Sequence, residues 1–289
     1  MHVKEAPVRQ KHAAAIHDIS GLGRCSLTVA LPILSAAGIQ TSVIPTAVLS
    51  THTGGFTDYT YRDLTADMKA FSTHWRTLNL TFDAIYSGYL GSFKQLEIVS
   101  EIFSELKSKD TLIMVDPVMG DHGELYSGFT KDFAAGMKKF CGRAGIIVPN
   151  ITEACFMLNK PYKEGPYEKE YIEDILYGLS GLGPDNIVLT GVFFDESFLG
   201  AAIYDKNNNC IDYALDKRIG GMFHGTGDVF GSALLAALLN GFDLYRSAQL
   251  AVKFTSGSIE RTYRAATDPR FGVDFEQGLP ELMKELMKR

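Results

Sequence analysis

The chain has 289 residues, 46% hydrophobic and 21% charged, with a formal net charge of −6 and no biased tract. That composition is globular and long enough for a substantial core, and its acidic balance excludes a bulk field that draws in nucleic acid or anionic membrane. Residues 1–11 are polar without an apolar h-region, and no apolar run is long enough to span a bilayer. A cytoplasmic protein with neither a membrane nor a nucleic-acid partner is therefore expected. Cys25, Cys141, Cys155 and Cys210 have no CxxC or Cys/His ligand spacing and are expected to be reduced and mostly buried.

In chain order, short apolar runs alternate with helical patterns. Strands are predicted over 13–17, 41–46, 83–86, 111–115, 145–148 and 186–189, several of them apolar throughout, as in a parallel sheet covered on both faces. Helices are predicted over 27–37, 64–75, 93–106, 129–140, 152–158 and 168–179; Pro32 should bend the first or end it early. After Thr190 the alternation breaks. Residues 198–204 and 210–214, joined by an Asn-rich turn, predict an antiparallel hairpin, and two helices follow, the second over 245–262. The pattern predicts a single α/β domain over 1–289, with a mostly parallel sheet flanked by helices and an antiparallel edge. Trp75 and the many phenylalanines fall at core spacing and receive no function.

Polar residues recur where the predicted strands end, which is where such folds gather ligands. Asp18, Ser20, Gly21 and Gly23 follow the first strand, and Ser50-Thr51-His52-Thr53-Gly54-Gly55 the second. Ser87-Gly88-Tyr89 follow the third, Asp116-Pro117-Val118-Met119-Gly120-Asp121 the fourth and Pro149-Asn150-Ile151-Thr152-Glu153 the fifth; Thr190-Gly191 end the sixth.

The most specific segment is Gly225-Thr226-Gly227-Asp228, which opens an apolar helix. Glycines leave backbone N–H groups uncovered at a positive helix end, a place that suits a transferring phosphate. A carboxylate there repels an anion, so Asp228 makes chemical sense as the base that takes a proton from an attacking hydroxyl. The alternative is a simple helix cap. No GxxxxGK[ST] occurs, so a P-loop is excluded.

Together these segments resemble the ribokinase superfamily, and more closely its pyridoxal (vitamin B6) kinase branch, over residues 13–265. Gly225-Thr226-Gly227-Asp228, the Asp116–Asp121 run, Pro149-Asn150-Ile151-Thr152-Glu153-Ala154, the Ser50-Thr51-His52-Thr53-Gly54 loop and Ser87-Gly88-Tyr89 carry the resemblance. The Asp18-Ile19-Ser20-Gly21 loop is closer to that of hydroxymethylpyrimidine phosphate kinases, whose Gln-Asn-Thr segment this chain lacks. The resemblance implies a three-layer ribokinase-like fold and transfer of the ATP γ-phosphate to the hydroxymethyl group of pyridoxal, pyridoxine or pyridoxamine. The alternative acceptor is hydroxymethylpyrimidine. Sugar kinase activity and a silent nucleotide- or vitamer-binding protein are more distant alternatives; the first core strand starts too early for the former.

On this basis Asp228 is the base, with Gly225, Thr226 and Gly227 forming the anion hole. Asp18, Ser20, Thr53 and Tyr89 would hold the ring; His52 is left as structural. Asn150, Glu153, Thr190, Gly191 and Tyr126 would meet ATP, with Tyr126 in a lid over 122–128. Asp116 and Glu153 would hold Mg²⁺, partly through water; otherwise they are a turn residue and a first-turn helix carboxylate. Asp121 would orient the γ-phosphate side or simply begin a loop, and the region of Ser256 and Ser258 would approach adenine. The resemblance also implies a homodimer and allows a monovalent cation such as K⁺.

Overall fold

A computed structural model describes residues 9–288; residues 1–8, most of the polar stretch read above as lacking a secretion signal, and residue 289 lie outside the described residues. In chain order the elements are β1 (His12–Leu22), α1 (Leu27–Ala36), β2 (Gln40–Thr51), β3 (Tyr61–Asp63), α2 (Thr65–Thr77), β4 (Ala84–Ser87) and α3 (Phe93–Leu106). Next come β5 (Leu112–Val115), β6 (Gly120–Asp121), β7 (Glu124–Leu125), α4 (Lys131–Cys141), β8 (Ile146–Ile147), α5 (Ile151–Leu158) and α6 (Lys169–Ser180). The last are β9 (Asn186–Val192), β10 (Phe198–Asp205), β11 (Cys210–Lys217), α7 (Thr226–Leu239), α8 (Leu244–Ala265) and α9 (Leu279–Leu286).

Nine strands form one sheet in the order β11-β10-β9-β8-β5-β4-β1-β2-β3. The strands from β9 to β2 pair in parallel, while β10 and β11 at one edge and β3 at the other are antiparallel. The alanines of β1 suit its interior place in the sheet: Ala13, Ala14 and Ala15 are fully buried, and small side chains let helices approach both faces. One face packs Met68 of α2, Val99 of α3, Met137 of α4, Ile151 of α5 and Ile172 of α6. The other packs Ile33 of α1, Leu234 of α7, Leu250 of α8 and Leu282 of α9. This is the expected three-layer arrangement. α7 is apolar nearly all round, as a helix buried between sheet and neighbours must be.

Three differences from the sequence reading have physical reasons. β1 and β2 run on past their predicted ends to Leu22 and Thr51, paired in parallel beyond a register shift between His17 and Ile19. Pairing there satisfies backbone groups that composition alone assigned to loops. α1 continues through Pro32 instead of ending early, because Val29, Ala30, Ile33 and Leu34 on both sides of it are buried. Tertiary burial outweighs the lost helix hydrogen bond. Antiparallel pairing also occurs at both sheet edges, since the short exposed strand β3 folds back on β2. Cys25, Cys141 and Cys155 are buried thiols, whereas Cys210 is exposed. Among the described residues no helix is long and apolar enough to cross a membrane.

Candidate active site

The chain leaves β1 in one direction through β2 and in the other through β4, β5, β8 and β9, so a crevice opens at the carboxyl ends beside β1. The N-terminus of α7 faces this region. Its N-cap, Gly225, has φ +73° and provides no side-chain cap, which leaves the first helical amides free. A Cβ at Gly225 would collide with the Arg24 carbonyl oxygen, so glycine is required both by conformation and by space.

Asp228 lies in the first turn and is not the cap. The Ser26 backbone N–H faces its carboxylate, without a hydrogen bond of good geometry. Burial nevertheless pushes the Asp228 pKa up to about 7, and the Asp18 carboxylate adds to the shift. Asp116, at the end of β5, is 6% exposed, and its Oδ2 lies 3.9 Å from where a Cβ of Gly227 would stand. Burial first, and then the Asp228 charge, raise its pKa. Two carboxylates thus share one recess beside an uncapped helix end.

Glu153, 3% exposed, sits one strand away in a capping box at the start of α5. Its backbone N–H donates to Asn150 Oδ1 at 2.9 Å, while its carboxylate accepts from the N–H groups of Asn150 at 2.8 Å and Met119 at 3.1 Å. Burial and Asp116 push its pKa up against those amide donors. Asn150 Nδ2 donates to the Gly120 carbonyl at 2.8 Å, and a parallel bridge joins Asn150 to Thr190. Gly191 has φ +78° and open space where a Cβ would be, so the chain presents bare backbone there.

The small β6–β7 hairpin brings Tyr126 back towards this group, with its N–H bonded to the Met119 carbonyl at 2.9 Å. Burial raises the pKa of its hydroxyl, and the carboxylates of Glu153, Asp121, Asp116 and Asp228 raise it further. The side chain is 42% exposed on its outer face, so it spans from solvent to the carboxylates. Asp121 is exposed and accepts the His122 N–H at 2.8 Å.

Also near Asp228, the buried Asp18 carboxylate accepts from the hydroxyls of Ser26 at 2.5 Å and Ser20 at 3.3 Å. Tyr89 packs against Phe129 with ring centroids 5.7 Å apart. Burial raises the pKa of its hydroxyl, and Tyr61, Asp18, Tyr59 and Asp63 add to the rise. Thr53 is exposed and its side chain makes no hydrogen bond among the described residues. It lies in a loop pressed against His224, whose ring would be 2.8 Å from a Cβ at Gly54. His52 holds that loop: its Nδ1 accepts the Gly54 N–H at 3.1 Å, and its Nε2 lies 2.6 Å from the Arg270 carbonyl oxygen.

The short 3₁₀ turn Pro269–Phe271 ties these loops together. Phe271 O accepts from Arg24 N at 3.0 Å, Pro269 O from His224 N at 3.3 Å, and Arg270 O from His52. Sequence reasoning missed this turn, along with Ser26, Tyr59, Tyr61 and His224. The i, i+2 tyrosines at 59 and 61 were an available signal. Ser258, expected near adenine, offers no free hydroxyl to a ligand. It is fully buried in α8, donating to the Phe254 carbonyl and accepting from Arg261. Ser256 does line a cavity of about 480 Å³ between β11, α8 and α9, with Lys217, Ile219 and Lys253.

Residues 31–270 match the phosphomethylpyrimidine kinase family. The chain belongs to this family. A phosphomethylpyrimidine kinase homologue from Bacteroides thetaiotaomicron is 36% identical, with a TM-score of 0.91 over 96% of each chain, and a second crystal form of it contains pyridoxal. A pyridoxal kinase from Lactobacillus plantarum is 30% identical, with a TM-score of 0.86 over 96% of this chain and 98% of that one. A pyridoxal kinase from Dictyostelium discoideum is 29% identical over 201 residues, and the match spans 65% of each chain. The shared region is thus less than two thirds of that curated relative.

A metal fits this family member's recess only in a particular way. No group of three or more His, Cys, Asp or Glu able to hold a metal occurs among the described residues. Asp116 is a buried carboxylate with no side-chain hydrogen bond among the described residues, and Glu153 keeps lone pairs beyond its amide donors. Such a sparse donor set suits Mg²⁺ that keeps water and phosphate oxygens as its other ligands.

Proposed function

We propose that this chain is an ATP-dependent kinase that phosphorylates the hydroxymethyl group of a vitamin B6 vitamer. The observation that carries the reading is Asp228 in the first turn of an uncapped helix, near the carboxylates of Asp116 and Asp18, with Asp116 assigned to the phosphates and Asp18 to the acceptor. In its charged form, Asp228 accepts the hydroxyl proton as the oxygen attacks phosphorus. The amides of residues 225–228 bind the transferring oxygens, and position plus charge neutralisation supply most of the rate. Asp116 and Glu153 would hold Mg²⁺, which supplies charge neutralisation for the phosphates when bound. Tyr126 covers the same space and excludes water. Thr190, Gly191 and Asn150 lie where the phosphates would run, and the cavity beside Ser256 suits the base. We further propose one kinase domain over 1–289, a homodimer, a cytoplasmic setting and room for a K⁺ ion.

An ATP/Mg²⁺ assay against pyridoxal, pyridoxine, pyridoxamine and hydroxymethylpyrimidine tests this directly, with a vitamer as the expected acceptor. Dominant turnover of the pyrimidine would instead support the second reading, which the Asp18-Ile19-Ser20-Gly21 loop favours. The base must be ionised, so kcat/KM should rise with pH through about 7, the value to which burial brings Asp228. A flat profile from pH 5 to pH 9 would remove Asp228 from the base role. Asp116→Asn should raise the Mg²⁺ concentration for half-maximal rate by roughly 10–100-fold, the scale on which changes around metal ligands act. An unchanged Mg²⁺ titration would place the metal elsewhere.

A further inference from the structure

We infer that His17 and Tyr86 are positioning residues that hold the Asp116 carboxylate from within the core and so set how readily it takes a metal ion. This rests on the kinase reading above. Both side chains are fully buried, yet neither the two His17 ring nitrogens nor the Tyr86 hydroxyl has a hydrogen-bond partner among the described residues. The buried Ser232 hydroxyl, next along α7 from the Gly231 that faces Tyr86, has none either. Unpaired polar groups in a core cost free energy, and apolar side chains of similar shape would remove that cost. Their retention points to a partner, and Asp116 is the buried group that lies between them and the crevice.

The sheet brings the three together. Tyr86 on β4 pairs with Met114 on β5, and both face α7. Asp116, two residues beyond Met114, returns to that face, and its N–H donates to the Ser87 carbonyl at 2.9 Å, which keeps β5 alongside β4. On the other side of β4, Ile16 pairs with Ser87, and the Gly88 N–H donates to the Ile16 carbonyl at 3.1 Å. His17, Gly88 and Asp116 therefore stand level across three adjacent strands, with His17 on the same face as Ala13. Gly88 contributes no side chain, and a Cβ there would overlap the His17 ring. The imidazole thus reaches across β4 towards Asp116, its ring plane at 74° to that of Tyr86 and the centroids 4.4 Å apart.

Helix α7 gives a second measure of the same arrangement. A Cβ at Gly231 would collide with the Tyr86 hydroxyl, while Asp116 Oδ2 lies 3.9 Å from the place of a Gly227 Cβ. Positions 227 and 231 are successive turns of one helix face, where Cβ atoms stand about 5–6 Å apart. Phenol and carboxylate therefore lie along one strip of α7, at a spacing that a single bridging water fills. Burial pushes the phenol pKa above its ordinary value, so the hydroxyl keeps its proton and donates.

Tyr86→Phe deletes the hydroxyl alone, and urea titration of the metal-free protein reads its contact without any turnover. The midpoint should fall, and fall less where Asp116→Ala is already present, because the two groups act together. A midpoint that rises, as for the loss of an idle buried hydroxyl, or that falls equally in both backgrounds, overturns the contact. In steady-state kinetics Tyr86→Phe and His17→Leu should each raise the Mg²⁺ concentration for half-maximal rate by roughly tenfold, the scale of groups that orient a metal ligand. KM for the acceptor should not move, and His17→Gln should recover part of what His17→Leu loses. An unmoved Mg²⁺ titration, or no recovery in His17→Gln, overturns the positioning role. No phosphorylation of any acceptor by the wild-type protein overturns the kinase reading, and the urea cycle then decides the contact by itself.

Discussion

Asp228→Asn should lower kcat by roughly 10²–10⁴, the contribution of a positioned base, while leaving KM for ATP within a few-fold. The same variant should unfold at a higher temperature than wild type at pH 8. The sign follows from the pKa: the folded value, about 7, lies above the ordinary 3.8, so the native state holds the proton more tightly than the unfolded chain does. Stability is therefore highest below the unfolded value and is lost as pH rises through the folded one. Above pH 7 the native state carries a charge in a recess that disfavours it, and asparagine removes that charge. A more stable and inactive protein is the pattern expected of a strained functional group. Thermal midpoints and initial rates on one preparation check both halves. A variant with near wild-type kcat would dismiss the base, and a lower midpoint would show that the carboxylate is structurally needed.

Gly225→Ala should be nearly as damaging by a different route. A Cβ there meets the Arg24 carbonyl oxygen, and φ +73° is unfavourable for alanine. Backbone strain of this kind costs about 1–3 kcal/mol, and relieving the contact requires the Arg24 loop or the helix end to move. Displaced amides no longer line up on the transferring oxygen, so kcat should fall by roughly 10²–10³. Gly38→Ala is the matching control: its φ, +77°, is also positive, no atom stands within 4 Å of a Cβ, and it lies between α1 and β2 away from the site. A urea titration and steady-state kinetics separate the two effects. Normal turnover in Gly225→Ala would mean that these amides do not act as the anion hole.

Much of this architecture was legible in the residues because the parallel strands are short, apolar and separated by helices of clear period. The Gly-Thr-Gly-Asp turn identified the helix end that faces the site. What stayed hidden depended on partners far away in the chain. β3 is three exposed residues whose strand character comes only from pairing with β2. The extension of β1 through Asp18 and Ser20 requires β2 alongside it, and nothing in Asp18-Ile19-Ser20-Gly21-Leu22 by itself announces that. Ser258 was misplaced because it looks like any accessible helix serine until Arg261 and Phe254 are seen to occupy its hydroxyl. His52, treated as structural, does hold its loop, though its contact lies 218 residues downstream.

The tie from Pro269–Phe271 to Arg24, His52 and His224 has a consequence for biosynthesis. The loops that would receive the acceptor are translated well before the turn that fastens them, His52 and Arg270 being 218 residues apart. A nascent chain still short of Pro269 can already possess the middle of the sheet, with β1, β4 and β5 in register. It has nothing yet to clasp its first two loops against the approach to α7. Competence would therefore arrive abruptly during synthesis, only once Pro269–Phe271 has cleared the ribosome.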